Sequence, residues 1–250
     1  MSSHISMGEV SKKERRHKVH VLYDIEAQVP AFYTVTTASK HDSTAMCSIH
    51  YELNAYYIFD RAYDSFKELY RIHLTDSFFV VRLKYTMVKW KRRIPKNALT
   101  DAEVKMTGYL SEKKYPESFR LIRYYDEEDD REFIFLTNAT HVSALDIANL
   151  YKKRWLVELF FKWLKQHLKI KRFWGTTENA VRIQISVAII TYCLVAIVQH
   201  DMQLKRSTYE VLQILSISLT DKTHLRDLFD KTNFNDVKEL DCPLFEGLFD

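Results

Sequence analysis

Tyr151 to Arg172 reads YKKRWLVELFFKWLKQHLKIKR, and its one acid, Glu158, stands among six lysines and two arginines. Read as a helix at about 100° per residue, Tyr151, Arg154, Glu158 and Lys165 share a wedge of roughly 60°, with Lys162 and Lys169 at its edge. The other arc carries Leu156, Val157, Leu159, Phe160, Phe161, Trp163, Leu164 and Leu168. The pattern predicts one long helix with an apolar face toward a core and a cationic face that holds the lone carboxylate. Taken alone, the same set fits a solvated helix face, because Arg154 with Glu158 and Glu158 with Lys162 are i,i+4 pairs worth about 0.2–0.5 kcal/mol each.

Outside this stretch the composition narrows the choices. Hydrophobic residues make up 46% and aromatic residues 14% of the 250, enough to bury one sizeable core. The glycines are Gly8, Gly108, Gly175 and Gly247, too few and too scattered for a dinucleotide fingerprint or a phosphate-cradling loop. Cys47, Cys193 and Cys242 are odd in number and far apart, which predicts reduced thiols and a cytoplasmic setting. The N-terminus has basic residues without an apolar run, so no secretory signal is expected. Ile185 to Val198 is the longest apolar run; it predicts a core helix and no membrane span. The net charge of the chain is only +4, so the basic stretch concentrates charge that the total hides. A surface of that kind points to a polyanion such as DNA.

In chain order, residues 1–17 read as a mobile basic arm. VHVLYD from Val19 and PAFYTVTT from Pro30 read as a hairpin around a turn. At His41 to Ser43, HDS offers Asp42 or Ser43 as the cap of a short helix reaching Leu53. Tyr56 to Phe59 is a hydrophobic run that delivers Asp60 at the tip of what reads as a central strand, before a helix over about Ser65 to His73. Ser77 to Lys84 is a further strand. It leads into a basic, aromatic-bearing segment with Lys89, Trp90, Lys91, Arg92 and Arg93, the mixture that phosphate contacts and base stacking use. RLIRYY and EFIFLTN flank Asp126 to Asp130, which reads as a solvated acidic turn. Ser143 and Asp146 have capping-box spacing. Thr177 is placed to cap the next helix after Gly175. Trp155, Trp163 and Trp174 read as core residues, one of which could stack on a displaced base. His17, His20, Cys47 and His50 have zinc-like spacing but no second thiolate, which argues against structural zinc.

Tyr151, Arg154, Glu158 and Lys165, set in LYKKRWLVELFFKWLKQHLKI, resemble the Y-R-E-K signature of insertion-sequence DDE transposases. The flanks LTNATHVSALDIANLYKKRW and FWGTTENAVRIQISVAI resemble those of the insertion-sequence-four group, and HDS at His41 and the strand ending at Asp60 stand where that group has counterparts. The likeness runs from about Lys18 to Leu204. It implies an α/β fold: an RNase H-like mixed sheet with flanking helices, interrupted by an inserted β-rich subdomain. The corresponding boundaries are 18–84 for the first part of the core, 85–142 for the insertion, 143–205 for the core helices with the signature, and 206–250 for a helical tail.

The resemblance implies Asp60 as the second and Glu158 as the third catalytic acid, both binding Mg²⁺ or Mn²⁺. It implies DNA contacts for Tyr151, Arg154, Lys162, Lys165 and Lys169, and the basic residues Arg82, Lys89, Lys91, Arg92 and Arg93 join that set on charge. The implied partners are transposon-end and target DNA, with two copies paired in a synaptic complex and no membrane. The implied setting is the prokaryotic cytoplasm, at the nucleoid when DNA is bound. One departure stands out. The first acid belongs on a strand ahead of Lys18, where this chain has MSSHISMGEVSKKERRHK. Glu9, Glu14 and Asp24 are the nearest acids, and Asp24 reads more simply as a turn residue. The expectation is an N-terminally truncated transposase with an incomplete two-metal site and impaired catalysis. Two other readings stand beside it: a catalytically silent DNA-binding remnant, and an unrelated α/β protein whose basic helix meets an acidic partner.

Overall fold

The computed structural model describes residues 17–37, 39–83, 100–106, 109–127, 130–168, 173–175, 177–218 and 222–231. Residues 1–16 of the expected arm (1–17), with Glu9 and Glu14, and Lys89, Lys91, Arg92, Arg93 and Lys169 lie outside the described residues, whereas His17, expected to end the arm, is the first residue of a strand. The chain divides into two compact units, 1–163 and 164–250.

The first unit opens with the expected hairpin, β1 (His17–Asp24) and β2 (Val29–Thr37), an antiparallel pair. β1 carries Val19, Val21 and Tyr23 and β2 carries two valines, three threonines and a tyrosine, residues that suit a pleated surface with one buried face. A 3-10 helix follows at Asp42–Ser48. It is shorter than expected, and neither Asp42 nor Ser43 caps it. His41 takes the N-cap position without a side-chain cap bond, while the Asp42 carboxylate is drawn away to Lys18 at 2.7 Å.

A five-stranded sheet carries the rest of this unit. Its strands are β3 (Tyr56–Phe59), β4 (Phe78–Arg82), β5 (Thr100–Val104), β6 (Phe119–Asp126) and β7 (Arg131–Thr137), in the spatial order β3-β4-β7-β6-β5. The pair β3 and β4 is parallel, with α1 (Phe66–Leu74) in the crossover between them, and the other pairs are antiparallel. The protein is therefore α/β with a mixed sheet. Among the described residues β3 is the last strand in this order, not a central one. The strands of the 85–142 stretch continue the sheet that holds β3, because β7 pairs with β4. A short helix, α2 (Tyr109–Lys114), lies between β5 and β6.

Both faces of the sheet are covered, as the near-continuous apolar runs YYIF and FFVV require. One face sets Tyr57, Phe59, Phe79 and Val81 in a cluster with Leu69 and Ile72 of α1. The opposite face sets Ile58, Val80, Ile122 and Phe135 against Ile147, Ala148 and Tyr151 of α3 (Ala144–Lys152). Each large side chain fully buried in this way contributes roughly 1.5–3 kcal/mol. The start of α3 is fixed locally: Ser143 and Asp146 form the expected capping box even with aspartate at its third position.

The long helix expected to follow is broken. Helix α3 ends at Lys152, and α4 (Trp155–His167) begins after a two-residue turn. The turn is made of i→i+3 bonds, from Arg154 N–H to the Tyr151 carbonyl (3.0 Å) and from Val157 N–H to the Arg154 carbonyl (3.2 Å). No glycine or proline forces it. The apolar residues on its two sides are buried against different surfaces: Tyr151 lies on Phe135 of the sheet, and Phe160 lies on Tyr23 of the hairpin.

The second unit contains α5 (Glu178–Asp201), α6 (Thr208–Ile217) and α7 (Leu225–Lys231). Val195, Val211, Ile214, Leu228 and Phe229 form its core. Thr177 caps α5 through Ala180 N–H, as expected, and Ser207 with Glu210 makes a second capping box at α6. Gly175 is required where it stands, since a Cβ there would come within 2.5 Å of the Ala180 Cβ. Helix α5 is long and apolar enough, by length and composition, to cross a bilayer. It was expected as a core helix, yet only one of its faces is buried.

Candidate active site

Strand register brings the first two groups together. Phe59 of β3 pairs with Val81 of β4, so Asp60 and Arg82 are neighbours at the carboxyl ends of two parallel strands, the usual place for ligand sites in such sheets. One Asp60 oxygen, Oδ1, accepts the Arg61 N–H at 2.7 Å and the Tyr151 hydroxyl at 3.4 Å. Tyr151 is buried, and the Arg82 guanidinium lies close enough to act on its phenol. Burial raises the Tyr151 phenol above its ordinary value and the Asp60 charge pushes the same way, while Arg154 and Arg82 oppose them. The phenol is therefore a neutral donor near pH 7. Arg82 itself lies 4.6 Å above the Phe133 ring, which holds its guanidinium in a fixed plane.

Arg154 and Glu158 complete the constellation. Arg154 sits in the turn between α3 and α4, 5.7 Å from the centre of the Tyr151 ring, and its Nη2 donates to Glu158 Oε1 at 2.6 Å. Burial works against the Arg154 charge, but Tyr151, Glu158 and Asp60 outweigh it and keep the guanidinium more firmly protonated than an ordinary arginine. Glu158 lies in the first turn of α4, where the helix N-terminus favours a carboxylate. Asp60, Tyr151, Arg82, Arg154 and Glu158 are thus joined, although the sequence placed three of them on one unbroken helix.

Beside them is a groove of about 300 Å³. Its lining includes four cations, Arg82, Arg131, Lys152 and Arg154, with Phe133 and Trp155. Arg131, Phe133 and Phe135 share one face of β7 by strand alternation, a signal that a period-2 reading of REFIFLT would have exposed. Lys152 pairs with Asp126 at 2.9 Å. Asp126, expected in a solvated turn, is instead almost fully buried at 3% exposure, because it ends β6 beneath α3. Two of the three tryptophans expected in the core are exposed, Trp155 at 57% and Trp174 at 76%, and Trp163 is half-buried. Trp155 lies about 200° around α4 from the buried Val157, so it faces away from that helix's packed side. Leu159, also expected on the apolar face, is 43% exposed.

The remaining predicted residues are spread out. Lys162 is exposed and Lys165 half-exposed on α4. Asp24 serves its hairpin, where its Oδ1 accepts the N–H groups of Glu26 and Ala27 at 2.8 and 3.0 Å. His20 is buried between the Tyr63 and Thr36 hydroxyls, each 2.8 Å from a ring nitrogen. Among the described residues, no group of three histidine, cysteine or acidic side chains is placed to share a metal ion. Asp60 and Glu158 still offer hard carboxylate oxygens of the type that suits Mg²⁺ or Mn²⁺.

A family model described as "Transposase DDE domain" matches residues 3–194, which include every member of this constellation. The chain belongs to the transposase DDE domain family. Its relatives include "Putative transposase y4zB" of Sinorhizobium fredii, 34% identical over 223 residues, which covers 86% of this chain and 61% of that protein. "Probable transposase for insertion sequence element IS5377" of Geobacillus stearothermophilus is 33% identical over 183 residues, covering 71% of this chain and 48% of that one. The chain thus spans about half to three fifths of the length of these transposases. A third relative, from Synechocystis, is 35% identical over 101 residues and is named for an insertion sequence element as well. The family membership accords with the resemblance to insertion-sequence DDE transposases.

Proposed function

We propose that this chain acts in cut-and-paste DNA transposition, cleaving phosphodiester bonds at transposon ends and joining the freed strands to target DNA. The observation that carries this reading is the Tyr151 hydroxyl, which donates to Asp60 on one strand, beside Arg82 on the next, while Arg154 ties the same cluster to Glu158. An isolated surface helix would not couple its cations to an acid on a separate sheet strand. The finer fold reading is an RNase H-like core interrupted by a β-rich insertion at 85–142. The parallel β3–β4 pair with its crossover helix supports it, and β5 to β7 then extend the core sheet.

In this proposal Asp60 and Glu158 hold Mg²⁺ or Mn²⁺, and the bound cations activate the attacking oxygen and stabilise the leaving one. Arg154, charged and only 14% exposed along its side chain, holds a phosphate beside the scissile bond. Tyr151 donates a hydrogen bond toward the backbone there. Arg82, Lys162, Lys165 and Lys169, with the basic stretch from Lys89 to Arg93, supply salt-dependent affinity. Trp155, exposed at the groove, is placed to stack on a displaced base. Two copies pair in the synaptic complex, in the prokaryotic cytoplasm and at the nucleoid when DNA is bound.

A second reading has an observation of its own. Two carboxylates without a third among the described residues would hold two cations weakly, which favours a DNA-binding protein with impaired or silent chemistry. Magnesium-dependent cleavage of duplexes carrying the element's own ends separates the two. The transposition reading expects nicking that Glu158→Gln abolishes while DNA affinity is kept. Binding without any nicking leaves the silent reading, and no binding at any salt concentration sinks both.

A further inference from the structure

His20 stands on the hairpin, outside the cluster around Asp60, yet it is buried and both of its ring nitrogens are engaged. The Nε2 contact is local: Thr36 lies diagonally across the hairpin, two residues along β2 from Thr34, the partner of His20. The Nδ1 contact is not, because it leaves the hairpin and reaches the Tyr63 hydroxyl at 2.8 Å. With Tyr63, Phe59, Ala45 and Met46, His20 lines a small crevice whose walls are almost wholly apolar, where losing either bond leaves a polar atom without water to replace it. Burial keeps the imidazole neutral, outweighing the opposed effects of Asp42 and Lys18. A neutral ring has one N–H and one bare nitrogen, and two hydroxyls, each donor and acceptor, satisfy it in either tautomer.

Tyr63 connects this bond to Asp60. Its N–H donates to the Asp60 carbonyl at 3.0 Å and closes a four-residue turn at the end of β3. Its ring stacks on Phe59, the residue before Asp60, with centroids 6.1 Å apart. The turn is therefore held at both ends. On one side the pairing of Phe59 with Val81 fixes the strand, and on the other His20 fixes the Tyr63 ring. The Asp60 carboxylate is oriented inside this turn, since its Oδ1 accepts the Arg61 N–H, so its direction follows the turn's backbone. We propose that His20 is a positioning residue for the active site: through the Tyr63 hydroxyl it fixes the Asp60 turn, and so the direction in which the Asp60 carboxylate meets a divalent cation. This rests on the metal-binding role proposed above for Asp60. A histidine that only filled the core would be replaced by any side chain of similar size, whereas one that holds Tyr63 is replaced only by a side chain with a polar atom where Nδ1 stands.

Two amides make that distinction. The asparagine amide reaches about as far as Nδ1, so His20→Asn keeps a partner for Tyr63 and gives up Thr36; the glutamine amide reaches about as far as Nε2, so His20→Gln does the reverse. Tyr63→Phe removes the hydroxyl and leaves the ring on Phe59, and it carries the test should a histidine variant not fold. Mn²⁺ binding to the full chain, read from the free ion by electron paramagnetic resonance, should weaken about tenfold in His20→Gln and in Tyr63→Phe, the lower end of what losing an outer partner of a metal ligand costs. His20→Asn should stay close to the parent. Helix content by circular dichroism, and DNA affinity measured by anisotropy in EDTA, should be unchanged in all three. Equal loss in His20→Asn and His20→Gln overturns the inference, as does parental Mn²⁺ affinity in Tyr63→Phe. A fall in metal-free DNA affinity that matches the fall in Mn²⁺ affinity overturns it too, because the damage would then be general. Mn²⁺ binding that is absent from the parent, or indifferent to Asp60→Asn, is a different failure: it removes the metal role of Asp60, and the role of His20 falls with it.

Discussion

Replacing Arg154 with methionine distinguishes a built site from a solvated helix face, because the two predict different energies for the same ion pair. On an exposed helix, Arg154 with Glu158 would be worth about 0.2–0.5 kcal/mol. Here the arginine side chain is 14% exposed and its partner 30%, and the bond between them is 2.6 Å. Losing one member of a fully buried pair costs about 3–5 kcal/mol, and of an exposed one about 0–1. The partial exposure of Glu158 places Arg154→Met between them, at about 2 kcal/mol, with the methionine retaining much of the packing of the side-chain stem. Glu158→Gln alone should cost about 1 kcal/mol, because Tyr151 and Asp60 still face the guanidinium. The double variant should cost about 1.5 kcal/mol, leaving a coupling energy near 1.5 kcal/mol. Urea unfolding followed by tryptophan fluorescence measures all four proteins. A coupling energy below about 0.5 kcal/mol would refute the argument that Arg154 binds the cluster together, and would return the pair to the surface-helix range. On the DNA side, anisotropy titrations at several salt concentrations should show the log–log slope falling in magnitude by about 0.9 in Arg154→Met, the loss of one phosphate contact.

Three further outcomes follow from neighbouring features. Asn138 accepts the Phe79 N–H at 2.9 Å and donates to the Ser77 carbonyl at 2.8 Å, and Phe79 is fully buried. Asn138→Ala should therefore cost about 2–3 kcal/mol in the same urea assay, and a cost below about 0.5 kcal/mol would show that the β4–β7 junction does not rely on it. Lys152→Met leaves Asp126 buried without this partner; since the lysine is 45% exposed, the expected cost is about 1–2 kcal/mol, and an unchanged urea midpoint would contradict it. Burial holds the His20 imidazole down, from 6.5 to about 4. The folded state thus favours the neutral ring, and its contribution is present above pH 6.5 and is lost as the pH falls toward 4. At about pH 5 the loss is on the order of 2 kcal/mol, so a His20→Gln variant compared with the parent at about pH 7.5 and about pH 5 should lose that much less stability on acidification.

How much of this was legible in the sequence depended on how far apart the cooperating residues lie. Ser143 and Asp146 are three residues apart, and their capping box could be read directly. The hairpin, with its two β-branched runs, and Asp60 at the end of a short apolar run were equally local. The neighbourhood of Asp60 and Arg82 was not, because it depends on the parallel register of β3 with β4, which no spacing in the sequence encodes. The exposure of Trp155 and the burial of Asp126 were misjudged for a related reason: each is decided by what packs over it.

The break between α3 and α4 is the most instructive case. KKRW contains no helix breaker, and the periodicity ran through it without interruption. What bends the chain is that Tyr151 is packed on Phe135 while Phe160 is packed on Tyr23, two surfaces that one straight helix does not serve. On an unbroken helix Tyr151 and Glu158 would lie about 10 Å apart along the axis, with Arg154 as one more surface residue between them. The turn instead makes Arg154 the corner. From there its guanidinium faces the Tyr151 ring and binds Glu158, so three of the four signature residues meet at the corner of a broken helix while Lys165 lies farther along α4.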